Sequence, residues 1–395
     1  MIHCRIFILI VGIWTMGLLL SSESQADENL AEVEIPQSLS AGLHHFLDLA
    51  DPAKTVAFDP EKVADILEFI NQPDKDAALY YADSTLDAPS AYYEFDIHEN
   101  LKKIAAYSFN PDIPEIATIP SSARQLYWLD ARKNRQLPPS IGQYLDHPLD
   151  TPVVINGLKH VEITPDTHSG AYYAYNVHET ELLFRYRQRT ILVTVSRQVD
   201  VSSVGKKGYV LGTDDDWDYF YSDKPGLTLP ALGWVKSYMY GSSGINIYDE
   251  VDPVAGKVRC AVFKWLQAGW SGINMVRRKH IYSGLKRFAK PLKEILEYPS
   301  LPTVKSMTDY FSRIRGYSED TLRAKMQIYS GILQNRYDGE KGHAKKLPAY
   351  LFKDQNHWAR MSRDEMESAL VIEYMKYAVG KTRLDEVEAL LDLKR

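Results

Sequence analysis

The stretch Leu182-Leu183-Phe184-Arg185-Tyr186-Arg187-Gln188-Arg189-Thr190-Ile191-Leu192-Val193-Thr194-Val195-Ser196-Arg197-Gln198-Val199 decides the fold class. Ile191, Val193, Val195 and Val199 fall on one face of an extended chain, and Thr194, Ser196 and Gln198 fall on the other. Successive strand side chains point to opposite faces, so this alternation describes antiparallel sheet with one drier face. Residues 182–186 form a second apolar run, and Arg187-Gln188-Arg189-Thr190 reads as the hairpin loop between the two. Working outward, β-rich runs at 153–155, 171–177, 209–211, 219–221, 235–240, 245–248 and 258–265 stand between clusters of Gly, Asp, Asn and Pro. A central block of antiparallel sheet is the expectation.

Both flanks carry helical patterns. Asp59-Pro60-Glu61 is a helix start, with a capping acid and proline at the first helical position. Val63, Ile66, Leu67 and Ile70 then recur on one helix face, and Leu43, Phe46, Leu47 and Ala50 mark a shorter helix before it. Residues 107–152 contain seven prolines and no clean period, with a short helix read at 125–134. Ile281, Leu285, Phe288, Leu292 and Ile295 form a helix stripe with a kink expected at Pro291, and Lys279, Lys286, Lys290 and Lys293 lie opposite it. Ser318-Glu319-Asp320 caps a helix to about 334, 339–346 reads as a polar loop, and Ser362 with Glu365 forms a capping box. The predicted fold is α+β: a curved antiparallel sheet packed on a long helix, with helical N- and C-terminal extensions. The expected divisions are 1–26, 27–150, 151–298 and 299–395.

Residues 1–26 concern location. Arg5 precedes an apolar run from 6 to 20, and Ser24 and Ala26 supply a small-x-small exit, which describes a secretory signal. A spanning helix needs about 20 apolar residues, so cleavage near Ala26 and a periplasmic or secreted product are expected. Removing this segment removes one base, Arg5, and one acid, Glu23, so the net charge stays at −6. A mildly acidic chain lacks the basic excess of a nucleic-acid binder. Of the 2 cysteines, Cys4 lies in the leader, so Cys260 has no intramolecular partner and is expected to be a buried, inert thiol. Tyrosine is abundant, 26 against 12 Phe and 7 Trp, which suits half-wet cavities as well as strands.

No catalytic signature is complete. Asp214-Asp215-Asp216-Trp217-Asp218 lacks the inner glycine and closing glutamate of a calcium loop, so a solvated hairpin tip is expected. His160, Glu162, Asp166, His168 and His178 are metal-ligand types, and His160 and Glu162 would share a strand face, but no His-Glu-x-x-His helix exists. Gly269-Trp270-Ser271-Gly272 and Gly241-Ser242-Ser243-Gly244 both miss the Gly-x-Ser-x-Gly nucleophile elbow. Phosphate-loop and dinucleotide fingerprints are missing from the sequence as well.

The segment Lys264-Trp265-Leu266-Gln267-Ala268-Gly269-Trp270-Ser271-Gly272-Ile273-Asn274-Met275-Val276 follows the strands and leads into the long helix. It resembles the end of START-type helix-grip domains, where a last strand passes through a glycine turn into a helix with an early asparagine. The resemblance covers about 153–297, without the usual proline after the turn and with a further helical extension behind it. It implies a curved sheet around a long C-terminal helix and an apolar cavity, typically for lipids.

The leading expectation is an exported soluble protein that binds an apolar or amphipathic small molecule, such as a lipid, without catalysis and without a cofactor. Tyr173, Tyr175, Phe184, Tyr186, Trp265 and Trp270 are the candidate cavity residues, chosen for strand parity and nearness to the bend. The Lys279–Lys293 helix offers a peripheral contact to anionic membrane, and no nucleic-acid partner is expected. The alternatives are an envelope hydrolase or metal-dependent enzyme using the histidine and carboxylate set, and an envelope adaptor.

Overall fold

A computed structural model describes residues 30–72, 75, 78–129, 139–165, 170–229, 233–337 and 355–393. The leader 1–26, Asp166, His168 and the polar loop 339–346 lie outside the described residues. No helix among the described residues is long and apolar enough to cross a membrane.

The chain mixes helix and sheet. Its strands are β1 (Ala31–Glu34), β2 (Ala78–Tyr81), β3 (Ser90–Ile97), β4 (Ala123–Trp128), β5 (Val153–Ile163), β6 (Gly170–Tyr172), β7 (Ala174–Tyr186) and β8 (Arg189–Gln198). They continue with β9 (Lys206–Leu211), β10 (Asp218–Pro225), β11 (Leu227–Leu229), β12 (Gly233–Val235), β13 (Ser237–Asp252), β14 (Lys257–Trp270) and β15 (Ile273–Asn274). Four helices fall among the early strands: α1 (Ser40–Leu49), α2 (Ala64–Phe69), α3 (Asp83–Leu86) and α4 (Leu101–Ser108). After the last strand come α5 (Arg278–Leu296), α6 (Val304–Arg315), α7 (Glu319–Tyr337), α8 (Gln355–Arg360), α9 (Arg363–Ala378) and α10 (Leu384–Leu391).

A 10-stranded sheet runs β1-β2-β3-β14-β13-β8-β7-β5-β4, with β15 paired to β14. Only β1 and β2 pair in parallel; every other described pair in this sheet is antiparallel. The sheet is therefore mixed, and the expectation of a purely antiparallel one is corrected by its first edge. A separate sheet of order β10-β9-β6 and a β11-β12 pair complete the β-structure of the described residues.

The hairpin that opened the sequence reading is tighter than a four-residue loop. Tyr186 pairs directly with Arg189, leaving Arg187 and Gln188 in the turn, and Arg187 takes the left-handed φ of 55°. The helix starts follow their caps. The Asp59 carboxylate accepts from the Glu61 N–H, the Ser318 hydroxyl accepts from the Thr321 N–H, and Ser362 with Glu365 closes a capping box at α9. By contrast, Ala123–Trp128 is strand where a helix was read at 125–134, and the N-terminal region read as helical also holds β1, β2 and β3. β1 pairs with β2 and β2 with β3, and β3 joins β14, far along the chain: Tyr92 pairs with Phe263 and Phe95 with Cys260. A local pattern does not register such long-range pairing.

Alternation along the strands splits the large sheet between two cores. Phe184, Val193, Val195, Ile245, Ile247, Phe263 and Trp265 meet Leu43, Phe46, Ile66 and Leu67 of α1 and α2. The other face contributes Leu183, Leu192, Tyr248 and Cys260 to a core that extends through α4 and into helices α5–α7, α9 and α10. Cys260 is 1% exposed, and burial pushes its thiol well above the ordinary range. On α5, Ile281, Tyr282 and Leu285 pack with Leu79, Ala91 and Val262 of β2, β3 and β14.

The basic side of α5 is partly engaged within the molecule. Arg287 pairs with Asp214 at 2.5 Å, Lys290 pairs with Asp215, and Lys293 pairs with Glu297 at 3.0 Å. The acidic cluster thus sits in a helical turn before β10, with Asp214 and Asp215 facing α5 and Asp216 capping Thr213.

Candidate functional site

The register across the second face of the large sheet places polar side chains in adjacent rows. Lys264 on β14 pairs with Gly244 on β13, Gly244 pairs with Ser196 on β8, and Ser196 pairs with Glu179 on β7. Two residues along, Val262, Asn246, Thr194 and Glu181 form the next row. Lys159 on β5 pairs with Val177 and with Trp128 on β4, which brings it beside Glu179 on the same face. The result is a polar band across the sheet, bordered by Leu183, Leu192, Tyr248 and Cys260 of the apolar core.

At one end, Lys159 is fully buried and bound by three carboxylates. Its ammonium lies 2.5 Å from Glu179, 2.7 Å from Glu115 and 3.6 Å from Glu181, and 4.2 Å from the centre of the Trp128 ring. Burial alone would lower its pKa, but the three glutamates hold it above the ordinary lysine range. One lysine cannot neutralise three carboxylates. Burial, with Glu179 and Glu115 beside it, pushes Glu181 up to about 8 against the pull of Lys159. Burial raises Glu115 as well. Glu181 is thus a protonated acid at neutral pH.

This end opens into a cleft of about 280 Å³ between the Phe109–Glu115 segment, β4, α6 and the first half of α9. Phe109, Ile113, Leu126, Trp128, Phe311 and Ile314 supply its apolar walls, and Gln125, Glu115 and Glu181 the polar floor. Arg315, Asp364 and Glu367 also line it, so acids outnumber bases there. A second hollow beside β10 and α8 holds about 40 Å³, room for water but not for a ligand.

At the other end of the band, the Lys264 ammonium donates to the Ser242 hydroxyl at 2.7 Å. Burial lowers Lys264 to about 8, opposed by Glu179. Burial raises the phenol of Tyr175, opposed by the neighbouring Ser242 hydroxyl. A Cβ at Gly244 would stand 3.4 Å from Ser196 Oγ and 3.6 Å from Lys264 Nζ, ordinary van der Waals contact, so the lysine chain lies alongside this residue of β13. Between these ends, Asn246 Nδ2 donates to Thr194 Oγ1 at 2.8 Å.

The structure does not gather the six aromatic residues chosen from sequence. β7 is a single strand, so Tyr175 and Phe184, nine positions apart on it, point to opposite faces. Reading 171–177 and 182–186 as separate strands loses that phase. Phe184, Tyr186 and Trp265 belong to the packed core under α1 and α2, where the Trp265 indole N–H donates to the Ala82 carbonyl at 2.8 Å. Tyr173 donates to Ser237 Oγ at 3.0 Å, and Ser237 is the register partner of Trp270. Only Tyr175 lies on the polar band, beside Ser242.

The histidine and carboxylate set is also dispersed. His160 Nδ1 meets Asn176 Oδ1 at 3.0 Å, while Glu162 is paired with Arg124 at 2.8 Å. His178 pairs across β5 with Leu158. Among the described residues, no group of three or more His, Cys, Asp or Glu is placed to hold a metal. Sequence reasoning missed Lys159, Glu115, Glu181 and Lys264; it weighed Glu179 only beside His178 and His160 as a metal set, and set Ser242 aside with the incomplete elbow. The available signal was Val177-x-Glu179-x-Glu181-x-Leu183, two acids at positions where the flanking period demands an interior side chain.

No protein-family model matches the chain, and no curated protein resembles it in sequence.

Proposed function

We propose that this chain is an exported protein that binds a small amphipathic molecule in the cleft beside β4, with a basic head directed at Glu181. The observation that carries this reading is the pairing of apolar walls with a buried cluster of three glutamates around one lysine. Clefts of this make-up, mostly apolar with a few convergent polar groups, are where small molecules usually bind. With Glu181 protonated, Lys159, Glu115 and Glu179 carry a net charge of about −1. A cationic head displaces the Glu181 proton, so that two cations, Lys159 and the head, face three carboxylates and the net charge stays at about −1. In this reading the sheet curves about α5 as in a helix-grip domain, supported by Ile281, Tyr282 and Leu285 against β3 and β14. Export follows from the leader, with the mature chain beginning near Asp27.

The test uses octylamine, octanol and octanoate. Octylamine is expected to raise the melting temperature, octanoate is not, and Trp128→Ala should abolish the response. Native mass spectrometry of gently purified protein should also show a co-purified ligand. A clean apo mass together with no shift from any of the three probes overturns the reading.

A further inference from the structure

We propose that Ser242 is the nucleophile and Lys264 the general base of a second site, which cleaves small carboxylic esters through an acyl-serine intermediate. The inference goes beyond the binding reading and rests on residues at the opposite end of the polar band.

The geometry is that of a nucleophile and base already in contact. The 2.7 Å separation of Lys264 Nζ and Ser242 Oγ lies within proton-transfer reach. Lysine serves as the base for serine only when neutral, and burial supplies that condition by bringing Lys264 down to about 8. Neutral Lys264 is then within reach near neutral pH and is favoured as pH rises. The charged or titratable groups around it are Glu179 and Tyr175 on β7 and Tyr93, diagonal to it on β3. Of these, Glu179 is already bound to Lys159 at 2.5 Å, so its charge is shared away from Lys264.

The local backbone suits a reacting serine. β13 loses its β8 partner beyond the Ser243–Arg197 pair, and its register with β14 slips between Met239 and Gly241. Ser242 stands at this break, the kind of irregularity that re-aims side chains at active sites. Ser242 is itself buried, while Lys264 and Tyr175 beside it are half-buried, so an ester would reach the serine past those two side chains.

The step balances without a metal or redox partner. Ser242 Oγ attacks the ester carbonyl carbon while its proton passes to neutral Lys264 Nζ. The Tyr175 phenol, kept protonated by burial and hydrogen-bonded to Ser242, is the donor this step offers the developing oxyanion. The C–O bond to the alcohol then breaks, and the alcohol leaves with the proton from Lys264. Water attacks the acyl-serine, its proton goes to Lys264 and on to Ser242 Oγ, and the carboxylic acid is released.

The test is adduct formation with an ethyl fluorophosphonate, read by intact mass and peptide mapping, alongside hydrolysis of 4-nitrophenyl acetate between pH 7 and 10. Wild type is expected to take one adduct at Ser242, with a rate rising through an apparent pKa near 8. Ser242→Ala should lose both signals. Lys264→Arg keeps a cation and a hydrogen bond but cannot act as base, so labelling should slow by roughly 100-fold or more. Lys305→Ala, at an exposed lysine of α6 outside both sites, should label like wild type. No adduct at Ser242 up to pH 10, an adduct at another serine, or wild-type labelling in Lys264→Arg overturns the proposal.

Discussion

Glu181→Gln isolates the electrostatics of the glutamate cluster, because glutamine keeps the shape of the protonated acid and cannot ionise. An unfolded glutamate titrates near 4.5, whereas folded Glu181 holds its proton to about 8. Between those values the native state binds a proton that the unfolded chain has released. Wild-type stability must therefore fall as pH rises through this window and level off above it. Each pH unit is worth about 1.4 kcal/mol, which sets a ceiling on the order of 5 kcal/mol across the window. Glu115, raised by the same surroundings, remains in both proteins, so its own slope largely cancels in the difference. Urea midpoints of wild type and variant, measured from pH 4.5 to 9, are the assay. The variant should match wild type near pH 4.5, gain on it steadily to about pH 8, and hold that lead at pH 9. Parallel midpoints would falsify the reasoning, and a wild type that gained with pH would show that Lys159 keeps Glu181 ionised.

Three further outcomes follow from the same contacts. Lys159→Met leaves three carboxylates without their cation and should cost about 3–5 kcal/mol in chemical unfolding; adding Glu181→Gln and Glu179→Gln should restore much of that loss. Gly269→Ala would place a Cβ 2.0 Å from the Ile273 carbonyl oxygen, which is backbone and cannot swing aside, so the β14–β15 turn must open and the melting temperature drop. Gly244→Ala, with 3.4 Å to its nearest neighbour, should melt close to wild type by comparison. Cys260 should ignore a thiol reagent in the native protein and react in guanidinium; modification within minutes without denaturant would contradict its burial.

What the sequence disclosed and what it hid have a common physical origin. Helix starts depend on residues two to four positions apart, so Asp59, Ser318 and Ser362 were legible as caps. The hairpin between β7 and β8 was legible for the same reason, since its two strands are contiguous. β1, β2 and β3 were not, because their pairing with one another and with β14 joins residues far apart in the chain. The candidate site was obscured by its own composition. His178-Glu179-Thr180-Glu181 looks like a polar break between two strands, yet it is the middle of one. Once β7 is continuous, Glu179 and Glu181 must share a face with Val177 and Leu183, and the interior position of two acids becomes an inference rather than a surprise.

That interior position needs an account, since buried ion pairs are weak sources of stability and apolar replacements of equal volume are often neutral or better. One other buried cluster is balanced among its buried members: Asp218 and Glu373 meet Lys376 and Arg336, two acids against two bases. The Lys159 cluster is not balanced. Three carboxylates face one cation, and the excess forces a proton onto Glu181, beside an apolar cleft that the chain leaves open. A network meant only to fix strand register would be served by Lys159 with Glu179 alone. The remaining acids, Glu115 and Glu181, are the two that line the cleft. Their uncompensated charge is directed at the space a ligand would occupy, so affinity for an alkylamine should strengthen between pH 6 and 8, by up to tenfold per pH unit as the Glu181 proton is released. Affinity that is flat with pH over that range would separate the cleft from its glutamates and leave their burial without a functional reason.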